Sequence, residues 1–178
     1  MIRHLRRAVL ISIVFFAVCG LAYPWAVTGI SQAFLPYQAN GSLTAHGSAP
    51  VGQPWKGPLW FQGRPDPYTP DATGPSVADL GPRSKVLLHD VKARIAQLRA
   101  EGITPTSDLV TYSFYGSSAN ITPHSAYVQV DAVARARHLS PATLRRLVAS
   151  HVTPAQFGFL GSPYVNVLKL NEALARLR

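Results

Sequence analysis

Residues 8–28 read AVLISIVFFAVCGLAYPWAVT and contain no charged side chain. A helix of this length rises about 30 Å at 1.5 Å per residue, which matches the hydrocarbon core of a bilayer. Ten of these 21 residues are valine, leucine, isoleucine or phenylalanine, and each favours membrane insertion by about 0.3–0.6 kcal/mol near the helix centre. The stretch therefore predicts a transmembrane helix, which we place at 8–30, with a kink at Pro24 and an end before Pro36.

A cleaved signal peptide is the alternative interpretation of this stretch, because it too begins with basic residues followed by an apolar core. Such a core is usually about 7–15 residues long, and the run here is longer. Tyr23-Pro24-Trp25 supplies no small-residue cleavage site, and Val18 stands before Cys19 where a lipoprotein signal needs a small residue. We therefore favour a retained anchor.

The distribution of charge indicates the orientation of the anchor. The chain has 17 lysine and arginine residues against 8 acidic ones. Arg3, Arg6 and Arg7 precede the span, and the positive-inside rule places this end in the cytoplasm. From Lys56 onward, basic and acidic residues are interspersed, which does not favour a nucleic-acid partner. We predict a cytoplasmic tail at 1–7, a single pass through the cell (inner) membrane, and an exported remainder.

The exported remainder is predicted to form one mixed α+β domain. Residues 31–83 are rich in glycine and proline, which favour short strands and turns, and their aromatic residues suggest a segment packed on the domain. Residues 84–178 are assigned to the α+β core.

Local patterns place helices and strands in this core. A helix is predicted over 84–100, with Gly102 as its stop, and another begins at Ser140-Pro141. The other elements predicted are a helix over 125–137, strands over 109–112 and 164–168, and a last helix capped by Asn171.

The sequence contains no recognised motif for binding a metal ion or a nucleotide. The single cysteine and the six histidines show no metal-ligand spacing, and neither GxxxxGK[ST] nor GxGxxG occurs. A hydrolase triad can be drawn from Ser117 or Ser118 with His124 and Asp131, although the G-x-S-x-G turn of such enzymes is missing. We expect no catalytic residue and no metal site, and keep a membrane-anchored extracytoplasmic hydrolase as the alternative.

Six motifs follow one another over nearly the whole chain: GLAYPWAVTGISQ (20–32), PYQANGSL (36–43), FQGRP (61–65), DLVTYS (108–113), QVDAVARARHL (129–139) and FLGSPYVNVLKLN (159–171). In this order they resemble the C subunit of the Kdp potassium-transporting ATPase, the KdpC family.

The chain departs from the family pattern at several places. GSAPVGQ (47–53) stands where the family has G-S-x-L-I-G-Q, and Asp66 replaces a serine. The loops 72–82 and 114–124 have diverged, and the family's D-P-H falls on residues 118–120, so that His124 is not the family's histidine.

The resemblance implies partners and a role. It implies an inner-membrane complex of four subunits: a P-type ATPase subunit, a potassium-channel-like subunit that carries K⁺, a small peptide subunit and this chain. It also implies a catalytic chaperone that raises the ATP affinity of the hydrolysing subunit. ATP is thus implied through that subunit, and no residue of this chain is assigned to a cofactor.

A set of candidate partner-interface residues combines the resemblance with residue chemistry. Small or polar side chains at the membrane exit suit contact with other helices, and an arginine beside aromatic residues suits an interface anchor, although a solvated charge is the alternative. The two asparagines beside the predicted strand 164–168 also have an alternative as helix caps. The candidates are Tyr23, Pro24, Gly29, Asn40, Gly41, Arg64, Asn166 and Asn171.

Overall fold

The computed structural model of the chain describes residues 2–53, 55, 57–65, 80–113 and 118–177. It divides into two units, Met1–Leu43 and Thr44–Arg178. The first is built on one apolar helix and the second combines helices with small sheets, which confirms the predicted α+β class with an N-terminal membrane-type helix.

The first unit contains one helix long and apolar enough to cross a membrane, Ile2–Phe34. It consists of α1 (Ile2–Phe15), a π-helical segment (Phe16–Ala22) and α2 (Tyr23–Phe34), and α3 (Pro36–Ala39) follows. The helix ends before Pro36, as predicted. At 33 residues it is longer than the roughly 20 residues that a hydrocarbon core needs.

The π-helical segment ends two residues before Pro24, and the missing N–H of this proline explains it. Proline has no N–H, so the carbonyl of Gly20 loses its usual donor four residues later. The backbone N–H of Tyr23 instead bonds the carbonyl of Val18, five residues back. The helix is thus widened before Pro24, and a kink at Pro24 stays a prediction.

Helix α4 (Lys85–Ala100) opens the regular part of the second unit as predicted. The Ser84 hydroxyl accepts the N–H of Leu87 at 3.4 Å, and Gly102 follows the helix at φ +74°, a conformation that glycine adopts without strain. Burial increases toward the end of the helix, where Leu98 joins a small cluster with Ile103, Leu109 and Ala132.

A three-stranded antiparallel sheet lies at the centre of the second unit. Its central strand is β5 (Tyr164–Asn166), flanked by β3 (Asn120–Ile121) and β4 (Val152–Thr153), with Val165 opposite both Ile121 and Val152. A separate pairing joins β1 (Leu43–Thr44) to β2 (Gly47–Ser48). The remaining helices are α5 (Ser107–Val110), α6 (Pro123–Tyr127), α7 (Val130–Arg137), α8 (Pro141–Ser150) and α9 (Val167–Ala175).

The main hydrophobic core is formed by the sheet and helices α6–α9. Helix α8 begins as predicted, with the Ser140 hydroxyl accepting the N–H of Thr143 at 3.1 Å. Phe61, from a segment without regular secondary structure, is fully buried among these elements. The other buried members of the cluster are Ile121, Ala126, Val130, Val133, Ala134, Leu144, Val148, Val165, Val167, Leu170 and Leu174.

Three of the predicted elements are corrected by the structure. Residues 109–112 are not a strand, because Asp108 and Leu109 are both buried in α5 and neighbours in a strand point to opposite faces. The strand predicted at 164–168 stops at Asn166, where a helix begins. The helix predicted over 125–137 is two helices, α6 and α7.

The cap predicted for the last helix is also wrong. Asn166, and not Asn171, caps α9, because its Oδ1 accepts the N–H of Lys169 at 3.0 Å. Asn171 lies inside the helix, on the apolar stripe that includes Val167, Leu170 and Leu174.

Candidate functional site

Residues 59–65, LWFQGRP, form a segment that we call the LWFQGRP segment, and amide side chains bond its backbone. The N–H of Phe61 donates to Oδ1 of Asn171 at 3.0 Å, and Nδ2 of Asn171 donates to the Phe61 carbonyl at 2.8 Å. The N–H of Gln62 donates to Oε1 of Gln129 at 2.7 Å, and Nε2 of Gln129 donates to the Gln62 carbonyl at 3.0 Å. Two buried amides thus provide the bonds that a neighbouring strand would give.

Near the end of this segment, Arg64 forms a partly buried ion pair. Its Nη2 lies 2.5 Å from Oδ1 of Asp108, and the side chains are 29% and 5% exposed. Oδ2 of Asp108 accepts from the N–H of Thr122 at 2.8 Å and from the Ser125 hydroxyl at 2.9 Å. Burial raises the pKa of Asp108, but the bonds from Thr122 and Ser125 and the charge of Arg64 outweigh it, so the pKa lies below its ordinary value.

A second arginine holds the other end of the segment. Nε of Arg137 donates to the Leu59 carbonyl at 2.8 Å and Nη1 donates to the Leu174 carbonyl at 3.1 Å. Its guanidinium lies 4.4 Å from the centre of the Trp60 ring, a cation–π contact. Burial lowers the pKa of Arg137. Arg64 and Arg137 therefore fix the segment between them.

Asn166 connects the central strand to another part of the chain. Its Nδ2 donates to the Ala49 carbonyl at 2.7 Å and to Oδ1 of Asn120 at 3.1 Å, while its Oδ1 caps α9. Asn166, Asn171 and Arg64, predicted as partner-interface residues, thus all make contacts inside their own domain. Arg64 keeps part of its side chain exposed. Contact with a partner stays a prediction for all three.

The candidates at the membrane exit lie in the first unit. Asn40 Nδ2 donates to the Pro36 carbonyl at 2.7 Å, and the side-chain amides of Asn40 and Gln32 bond each other at 3.1 and 3.2 Å. Gly41 follows at φ +83°, so that this pair of residues closes α3. Their contact with a partner also stays a prediction.

The three candidates within the long helix differ in exposure. Tyr23 is largely exposed, Pro24 follows the π-helical segment, and a Cβ added at Gly29 meets no atom within 4 Å. An open face at Gly29 allows a second helix to approach closely. The structure leaves the partner of this face untested.

The residues of the alternative hydrolase are not arranged as a triad. The Ser118 hydroxyl accepts from the N–H of Asn120 at 3.3 Å, and Asp131 pairs with Arg145 at 3.4 Å. In the part of the chain that the structure describes, no hydrogen bond joins His124 to Ser118 or Asp131, and Ser117 lies outside that part. The geometry does not support this nucleophile.

A metal site and a ligand-binding cleft are the other kinds of site that the described residues could form. No group of three or more histidine, cysteine or acidic side chains among them is arranged to hold a metal ion. An open cleft of about 270 Å³ is lined by Pro65, Asp90, Ala93, Arg94, Gln97, Val110 and Tyr112.

The guanidinium of Arg94, which lines this cleft, already donates hydrogen bonds to other groups of the chain. Arg94 donates to the Leu109 carbonyl at 3.1 Å, to Gln97 at 2.9 Å and to Gln62 at 2.6 Å. The Tyr112 hydroxyl donates to Asp90 at 3.0 Å. Burial and this bond raise the pKa of Tyr112. A cleft whose arginine is bonded and whose rim carries a carboxylate does not suit a phosphate group.

Comparison with known proteins gives the family. The family model described as "KdpC: K+-transporting ATPase, c chain" matches residues 5–176. The chain belongs to the KdpC family. A Burkholderia ambifaria protein named potassium-transporting ATPase KdpC subunit is 48% identical, over 96% of this chain and 94% of its own length. A KdpC subunit from Geobacter sulfurreducens is 43% identical over 98% of both chains, and one from Burkholderia cenocepacia is 46% identical over 96% of this chain and 94% of its own.

The resemblance predicted from the six motifs is therefore confirmed, and the chain is a subunit of a K⁺-transporting ATPase complex. Within this KdpC chain, FQGRP coincides with the LWFQGRP segment, and DLVTYS contributes Asp108, the partner of Arg64. The motif 129–139 contributes Gln129 and Arg137, and the motif 159–171 contributes Asn171. Four motifs that are far apart in sequence thus form one polar network.

Sequence reasoning missed three members of this network: Asp108, Gln129 and Arg137. One of them carries a local signal, because Gln129 directly precedes α7 and stands four residues before the buried Val133. The same signal marks Asn171 on the stripe of α9. A polar residue at an apolar position of a helix indicates a buried hydrogen bond.

Proposed function

We propose that this chain is a single-pass accessory subunit of a high-affinity, ATP-driven potassium importer, with no chemistry of its own. The observation that carries the proposal is the KdpC family match over residues 5–176. The partners are a P-type ATPase subunit, a potassium-channel-like subunit and a small peptide subunit. The polar side chains of the folded unit support a structural role, since they bond their own backbone.

The proposed topology places the N-terminus in the cytoplasm and the folded unit outside the inner membrane. Arg3, Arg6 and Arg7 support this orientation. Ala96 lies on the exposed face of α4, so we expect an Ala96→Cys variant in a Cys19→Ser background to react with an impermeant thiol reagent in intact spheroplasts. A Cys19→Ser chain without the new cysteine is the control. Labelling that appears only after lysis contradicts this orientation.

The long helix is proposed to bind partner helices through its exit region. Tyr23, Pro24 and the open face at Gly29 support this, because an anchor that met only lipid would need no small or polar residues there. We expect replacement of all three by leucine to abolish co-purification of the ATPase and channel-like subunits in mild detergent, while the chain still inserts.

Leucine at Val9, Ile13 and Val18 of the same helix is the matched control, and we expect this variant to assemble normally. Normal assembly of the Tyr23/Pro24/Gly29 variant contradicts the proposed helix contact. Failure of the unchanged chain to co-elute with either subunit contradicts the proposed function itself.

The subunit is proposed to act as a catalytic chaperone that raises the ATP affinity of the P-type ATPase subunit, and to do so indirectly. The cleft at Arg94 offers no free cation to a phosphate, and ATP is cytoplasmic whereas the folded unit is proposed to be exported. A subunit that favours one conformation of its partners changes a distant affinity by coupling alone, typically by about 1–3 kcal/mol.

A further inference from the structure

The first turns of α1 carry three arginines on one face. Arg3, Arg6 and Arg7 follow one another at spacings of three and one, and α1 begins at Ile2. At 3.6 residues per turn they lie within about 100° of the helix circumference. Side chains three and four residues apart on a helix have Cβ atoms about 5–6 Å from each other. The three guanidinium groups therefore form one cationic surface, which we call the Arg3–Arg6–Arg7 face.

This face has no counter-charge nearby in the sequence. Residues 1–65 contain no aspartate or glutamate, and Asp66 is the first acidic residue of the chain. All three arginines are exposed. None of their side chains makes a hydrogen bond or an ion pair with another residue that the structure describes. The face is therefore available to an anion from outside the chain.

The position of the face along the helix selects the kind of anion. The uncharged run begins at Ala8, and residues 2–7 extend the helix beyond it by about 9 Å at 1.5 Å per residue. The headgroup layer on each side of a hydrocarbon core is about 5–8 Å thick. When the uncharged run crosses the hydrocarbon core, the Arg3–Arg6–Arg7 face lies at the depth of the lipid phosphates.

We propose that the Arg3–Arg6–Arg7 face binds the phosphate of an anionic phospholipid in the cytoplasmic leaflet. Guanidinium groups donate paired hydrogen bonds to phosphate oxygens, and anionic headgroups attract arginines near the membrane surface. Lipid phosphates surround the helix at this depth, so they reach the face without a matching surface on another subunit. The inference rests on the proposed membrane insertion and orientation, and it adds a ligand to them.

The arrangement of the arginines distinguishes a binding face from an orientation signal. Orientation depends on the number of basic residues beside the span, whereas a binding face depends on their positions. The exchange variant Leu5→Arg, Arg6→Leu keeps three arginines but places one of them about 160° around the helix from both Arg3 and Arg7. Arg6→Lys is the matched control, because it keeps a cation at each position of the face.

The test measures fluorescence quenching of the full chain in vesicles of phosphatidylcholine and phosphatidylglycerol. A thiol-reactive dye is attached to Ile2→Cys in a Cys19→Ser background, and each lipid in turn carries a nitroxide quencher. We expect labelled phosphatidylglycerol to quench at least about threefold more strongly than labelled phosphatidylcholine, because the face concentrates the anionic lipid. The Arg6→Lys control should keep this ratio, and the exchange variant should bring it close to one.

An exchange variant that keeps the full ratio overturns the inference, since the attraction would then depend on the number of charges alone. Loss of the ratio on adding inorganic phosphate, but not sodium chloride of the same ionic strength, overturns it in favour of free phosphate. Loss of the ratio when the chain is assembled with its partner subunits overturns it in favour of an acidic group on a partner. Release of the unchanged chain from vesicles by an alkaline wash overturns the proposed membrane insertion as well.

Discussion

Replacing Asn171 by leucine should destabilise the folded unit by about 2–6 kcal/mol, because each of two buried backbone groups then lacks a partner at a cost of about 1–3 kcal/mol. Those groups are the N–H and the carbonyl of Phe61, which Asn171 bonds at 3.0 and 2.8 Å. Leucine has the same branched skeleton as asparagine, although its methyl groups are larger than the amide atoms, and it suits the apolar stripe of α9, so the loss reports mainly the two hydrogen bonds. Denaturant unfolding of the full chain in detergent, followed by tryptophan fluorescence, measures it.

The matched control changes an exposed amide in the same way. Gln97 bonds Arg94 and Glu101 on the surface of α4, and Gln97→Leu is expected to change the free energy of unfolding by about 0.5 kcal/mol or less. If Asn171→Leu were as stable as Gln97→Leu, the LWFQGRP segment would not depend on this amide.

Asp108→Ala is the second large effect, at about 2–3 kcal/mol of lost stability. Breaking a buried ion pair costs about 3–5 kcal/mol, and the cost is lower here because Arg64 is 29% exposed. The substitution also removes the acceptor of the Thr122 N–H and the Ser125 hydroxyl. Asp131→Ala is the control, since Asp131 and Arg145 are both well exposed and 3.4 Å apart, and such pairs contribute about 0–1 kcal/mol. Equal stability of the two variants contradicts the role assigned to Asp108.

The pH dependence of this difference has a defined sign. The pKa of Asp108 in the folded chain lies below its ordinary value of 3.8, so its charge stabilises the fold above that value. The contribution is lost as the pH falls through the lower, folded pKa. The stability gap between the unchanged chain and Asp108→Ala should therefore be constant near neutral pH and shrink below pH 3.8.

The sequence is informative where the signal is local. The apolar run 8–28 predicted the long helix, and the Ser140-Pro141 pair marked where α8 begins. These features depend on residues within a few positions of one another. The family resemblance rests on the order of sequence motifs, which does not depend on contacts between distant residues. The family match confirms it.

The polar network was not predictable in this way. Asn171 and Phe61 are 110 residues apart and Gln62 and Gln129 are 67 apart, so only the folded chain brings them together. The prediction of a strand at 109–112 was wrong, also because of contacts between residues distant in sequence. Burial of both Asp108 and Leu109 depends on Arg64 and on the end of α4, and tertiary packing overrides short β-type patterns.

We propose that this chain raises the ATP affinity of the P-type ATPase subunit without binding ATP itself. The direct test measures the KM for ATP of the potassium-stimulated ATPase with and without this subunit, together with calorimetry of ATP on the full chain alone in detergent. We expect the KM for ATP to rise about 5–150-fold when the subunit is absent. We expect ATP to bind the chain alone no tighter than about millimolar. Saturable micromolar binding of ATP to the isolated chain, or a KM that does not change when the subunit is removed, would contradict it.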